Sequence, residues 1–132
     1  MSHHRRQAVV QIAVAIDNLE TAEQLAEEHG SGVGPYSLEI RSFLDGAKLA
    51  LYQTNAGTWR EAEETLTGTI ARLSVLAGKL DQRRRELHAK VRQGRRIGES
   101  APFARIVDQL VHARKALRSA ILNLRLSKAR TA

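Results

Sequence analysis

No cysteine occurs in the 132-residue chain, so disulfides, thiolate metal sites and a cysteine nucleophile are excluded. Aromatic residues make up only 4% of it. So few large flat side chains, beside abundant alanine and leucine, suit closely packed helices and argue against a β-sandwich or barrel. No apolar run approaches the ~18 residues that a membrane-crossing helix needs, so no membrane partner is expected. Residues 1–16 have a basic head and a short apolar run, as a signal peptide does, but no small-residue cleavage site follows. Asp17, Glu20 and Glu23 instead continue the pattern as an amphipathic helix, and the expected location is cytoplasmic.

What is there centres on residues 58–93. With Trp59 at position a of a heptad, the later a positions are Leu66, Leu73, Leu80 and Leu87, an unbroken apolar series. Thr58 followed by Glu61 reads as a capping box at the helix start. At about 1.5 Å per residue such a helix spans on the order of 50 Å, longer than a compact domain of this size is wide. The d positions are Ala62, Thr69 and Leu76, then Arg83 and Lys90, so the seam loses its apolar character after Leu80. Arg72, Lys79, Arg83 and Lys90 form a basic stripe beside the leucines. Gly68 and three threonines between residues 65 and 69 weaken the helix, and a kink is expected there.

The remaining elements follow the same periodicity. A first helix over 7–28 carries Val9, Ile12, Ile16, Leu19, Ala22 and Ala26 on one face, with Val10, Val14 and Leu25 widening it. His29 and the glycine-rich residues 30–34 form a turn that lacks the Gly-Lys-Ser/Thr ending of a phosphate-binding loop. A second helix over 35–55 starts at Pro35, buries Tyr36, Ile40, Phe43, Ala47, Ala50 and Leu51, and is capped by Gly57. A fourth, over 102–127, carries Phe103, Ile106, Leu110, Ala113, Leu117, Ala120 and Leu124, with alanines allowing close helix approach. Residues 1–6 and 128–132 read as flexible ends. The expected fold is a single all-α domain over 1–132: an antiparallel bundle of about four helices around one long central helix, 58–93.

Charge separates the halves. Residues 1–78 hold six Lys/Arg against ten Asp/Glu, a net −4, while residues 79–132 hold fifteen against four, a net +11. Such asymmetry points to an anionic partner, DNA or RNA first, or to an acidic protein surface, or to a homo-oligomer in which acidic and basic halves meet. Sixteen of the 21 cations are arginine, which suits phosphate, although GC-rich coding enriches the same residues. The candidate anion site is Arg83, Arg84, Arg85, Lys90, Arg92, Arg95 and Arg96 at one end of the molecule, with Arg114, Arg118 and Arg125 along the fourth helix. No aromatic is interleaved, which argues against a stacking platform for single strands, and no helix-turn-helix is present. The plainer reading is a solvated basic helix end balanced by nearby acids.

Catalytic signals are sparse. The five histidines, His3, His4, His29, His88 and His112, have no metal-site spacing, and no cofactor is expected. Arg83 with His88, and Arg105 with His112, have the Arg-x(4–6)-His spacing of the HEPN ribonucleases, whose small helical bundles this chain resembles. That resemblance implies RNA cleavage across a dimer by the paired Arg and His. Read from the residues alone, Arg105, Asp108 and His112 form a surface salt-bridge ladder, and Trp59 is a core anchor. The functions expected are, in order, a non-catalytic nucleic-acid-binding accessory subunit, an oligomeric structural or adaptor protein, and an HEPN-like ribonuclease.

Overall fold

Four α-helices and no strand occur among the described residues, 3–28, 36–94 and 101–131, of a computed structural model of the chain. They are α1 (His3–Glu28), α2 (Ser37–Ala56), α3 (Trp59–Arg92) and α4 (Ala101–Thr131). Each packs on two neighbours, α1 and α3 both lying against α2 and α4. Side-chain contacts fix the directions: Arg41 of α2 reaches Glu23 of α1 at 3.1 Å, Thr65 of α3 bonds Gln53 of α2 at 2.8 Å, and Arg125 of α4 reaches Glu63 of α3 at 2.6 Å. His4 at the start of α1 lies 3.2 Å from Asn123 near the end of α4. Every adjacent pair is therefore antiparallel, as the sequence predicts.

The core follows the heptads closely in α3 and α4. Leu66, Leu73, Leu80 and Leu87 are buried with Ala62, Thr69 and Leu76, and Trp59 packs half-buried against the same core. All seven expected α4 positions are buried too. On α1 the buried line differs. Ala8 and Ala15 are fully buried while Val9 and Ile16 are only partly covered, because the helix is turned to set small residues at the closest approach. Alanines at 8, 15 and 22 on α1, matched by Ala113, Ala116 and Ala120 on α4, let these two backbones come near each other.

Two local expectations are corrected. Thr58 makes no capping box: its hydroxyl donates to Gln53 O at 3.0 Å, tying the start of α3 to the end of α2. That junction is a Schellman turn, with Gly57 at φ 81°, Gly57 N–H donating to Thr54 O at 3.2 Å and Thr58 N–H to Gln53 O at 3.0 Å. Helix α3 is continuous through Gly68, with the Thr67 and Thr69 hydroxyls donating to Glu63 O and Thr65 O at 2.8 Å. Helix α1 begins at His3 rather than residue 7, and α4 runs to Thr131 rather than residue 127.

The cause at the N-terminus is Arg5. Its guanidinium donates to Asn55 O at 2.6 Å and to Thr54 O at 3.2 Å, the latter also accepting from Gly57 N–H, and lies 4.9 Å over the Trp59 ring. The expectations for His29, the turn at 30–34 and Pro35 lie outside the described residues, as do Arg95 and Arg96.

Helices α2 and α3 come close at Gly46, where an added Cβ would overlap the Thr69 hydroxyl oxygen. Gly46→Ala should therefore lower stability by about 1–2 kcal/mol, as core overpacking does, although alanine is the better helix former by ~1 kcal/mol. Adding Thr69→Ala should restore most of the loss. Urea denaturation of the two single variants and the pair tests this, and a Gly46→Ala chain as stable as the parent refutes it.

Candidate functional site

The site grows out of unequal helix lengths. Gly46 of α2 is level with Thr69 of α3. Nine residues back from Gly46 is Ser37, the start of α2, and nine on from Thr69 is Gly78. Beyond Gly78, α3 has no α2 beside it. Thr65, Thr69 and Arg72 mark the α2 side of α3, through Gln53, Gly46 and the Phe43 ring 5.9 Å from Arg72. The same helical spacing carries that side on to Lys79, Arg83 and Lys90. The seam turns basic where its apolar partner ends.

The opposite side of α3 faces α4. Glu63, Thr67 and Ile70 mark it, the last two lining a groove of about 400 Å³ with Arg118, Ile121, Leu122 and Arg125. Helical spacing continues this side through Ser74, Asp81, Arg85, His88 and Arg92. Arg114 stands one turn before Arg118 on α4. The α3–α4 face thus gathers Arg85, Arg92, Arg114, Arg118 and Arg125. Arg83 and Lys90 turn away toward the α2 side, so the described candidates near the end of α3 are divided between two sides of that helix. Arg125 is level with Glu63; 24 residues back lies Ala101, level with Leu87, and the cations are strung along the face over roughly 40 Å.

The carboxylates on this face are already held. Asp81 accepts two hydrogen bonds from Arg84, at 2.8 and 3.0 Å, and pairs with Arg85 at 3.0 Å. Glu63 is taken by Arg125 and Glu64 by Arg60 at 3.6 Å. Arg83 pairs with Glu86 at 3.3 Å. Apart from the Arg125 contact these are short-range pairs on one helix, each worth a few tenths of a kcal/mol. Lys90, Arg92 and Arg118 are exposed and engaged by no carboxylate among the described residues. Lys79, outside the sequence candidates, joins the α2-side stripe; its place in the heptad already put it beside Arg83.

The Arg/His pairs take different positions. Arg83 lies on the α2 side of α3 and His88 on the α4 side, so within one chain they diverge. Arg105 and His112 are both exposed on α4, two turns apart. His112 Nδ1 lies 2.7 Å from the backbone oxygen of Asp108, not its carboxylate, and no ion pair joins Arg105 to Asp108, so the expected ladder is not formed. No group of three or more His, Asp or Glu that could hold a metal occurs among the described residues. Compared with protein-family models, curated proteins and solved structures, the chain matches none.

The Asp81 carboxyl is held below its ordinary value of 3.8, chiefly by the Arg84 hydrogen bonds, with the charges of Arg85 and Arg84 adding to this and burial opposing it. A lowered carboxyl stabilises the fold above its unfolded pKa, and that contribution disappears as pH falls through the folded one. Asp81→Asn should therefore lower stability at neutral pH by a few tenths of a kcal/mol per lost pair, with the difference vanishing at the acid end. A carboxyl-carbon NMR titration of Asp81 with a midpoint at or above 3.8 would contradict this.

Proposed function

We propose that this protein is a non-catalytic accessory subunit that holds the phosphate backbone of nucleic acid along its α3–α4 face. The observation that carries the reading is the line of Arg85, Arg92, Arg114, Arg118 and Arg125 on one side of the bundle, beside carboxylates already engaged by arginine. Phosphate neutralisation requires only cations at a workable spacing on a stiff support, and two packed helices supply that. Displacing a short-range surface pair in favour of a phosphate costs little. No exposed Phe, Tyr or Trp stands among these arginines in the described residues; Phe103 of α4 is buried, and Trp59, one turn before Glu63, packs against the core under Arg5. Base stacking therefore contributes nothing, and binding is expected to be indifferent to sequence.

The expected behaviour is an affinity for duplex DNA or RNA that collapses with salt, each lost phosphate contact removing about 0.9 from the slope of log K against log salt. Replacing Arg85, Arg92 and Arg118 together by Ala should lower the slope by roughly 2–3 and weaken all sequences alike. Arg41→Ala, on the α1–α2 side, should leave it unchanged. Fluorescence anisotropy at several salt concentrations, with protein stripped of carried-over nucleic acid, measures both; an unaltered slope in the triple variant ends the proposal.

A further inference from the structure

Helix α2 is apolar on two sides. α2 buries Ile40, Phe43, Leu44, Ala47 and Ala50 against the bundle, yet on its outer side Leu38 is 80% exposed, Leu49 49% and Tyr52 71%. Ser42, Asp45 and Ala56 complete that outer row at alternating steps of four and three residues, the spacing of a helix seam. Apolar surface of this kind on a water-soluble bundle marks a place where another surface sits.

The charge map says what that surface is. α1 carries two arginines against five carboxylates, α3 eight Lys/Arg against five, and α4 seven against one. α2 alone is balanced, with Glu39 and Asp45 against Arg41 and Lys48. In a two-fold contact each helix face meets its own like, so the net-charged faces of α1, α3 and α4 repel themselves, whereas the neutral face of α2 can meet its copy without that penalty.

The balance is also self-complementary. In an antiparallel pairing of two α2 helices about a two-fold axis near Ala47, Asp45 of each copy lies opposite Lys48 of the other. Leu38 of each then comes beside Tyr52 and Ala56, as an isologous contact requires. We propose that the protein forms a two-fold dimer through the outer face of α2, a second copy of this chain covering Leu38, Leu49 and Tyr52. α2 stands diagonally across the bundle from α4, so the dimer leaves both arginine-lined faces open on its outside. The proposal does not rest on phosphate binding and stands or falls separately from it.

Sedimentation equilibrium of the full chain should give twice the 14.6 kDa monomer mass, dissociating on dilution. Leu49→Glu and Tyr52→Glu, both on exposed positions, should yield monomers with unchanged helical circular dichroism. Leu126→Glu, on exposed α4 surface, should still dimerise. Asp45→Lys should weaken the dimer at least tenfold by facing Lys48 of the other copy with a like charge, and Asp45→Lys with Lys48→Asp in one chain should regain it. A monomer at ~100 μM, which would assign the patch to a different protein, overturns the proposal. So does a dimer indifferent to Leu49→Glu and Tyr52→Glu, or a charge exchange that fails to restore association.

Discussion

α2 has 20 residues and α3 has 34, and the surface of the molecule is arranged around that difference. At about 1.5 Å per residue, some 20 Å of α3 runs on after α2 has begun. An apolar seam there would face water, so the positions that continue Thr69 and Leu76 become Arg83 and Lys90. On its other side α3 keeps a neighbour as far as Leu87, and there the buried leucines continue against Phe103 and Ile106 of α4. Past Gly78, α3 thus keeps its leucines where α4 covers them and turns basic where α2 no longer does.

The close α1–α4 contact sets the rest. Small residues on both helices bring the backbones together, which leaves Val10 and Val14 on the solvent side instead of in the core. Arg5 closes the same end by binding the last carbonyls of α2 and covering Trp59, so the start of α1, the end of α2 and the start of α3 are joined by one side chain. Stability at that end is electrostatic as well as apolar. At the other end it is mostly apolar, and the arginines there are spent on short pairs with Asp81 and Glu86.

Much of the bundle was legible because its helices obey the heptad rule where two neighbours bury them. The leucines at 66, 73, 80 and 87, and the α4 series from Phe103 to Leu124, needed no tertiary information. The arginine cluster was legible as composition but not as a surface. Spacing along one helix places Arg83 and Arg85 on different sides, yet which side meets α4 is a property of the packing. The Thr58 capping box and the ladder of Arg105, Asp108 and His112 failed for the same reason. Each is a local pattern that a competing partner, Gln53 O or the Asp108 backbone oxygen, satisfies instead.

Sequence alone determined the fold class, the helix count, the antiparallel order implied by a two-residue turn, and the concentration of positive charge after residue 78. Those are matters of periodicity, turn chemistry and counting, all local along the chain. Tertiary structure alone decided that Arg114, Arg118 and Arg125 share a face with Arg85 and Arg92, and that the outer row of α2 stays uncovered. These depend on register between helices, which is set by where Gly46 meets Thr69 and Glu63 meets Arg125, contacts between residues far apart in the chain.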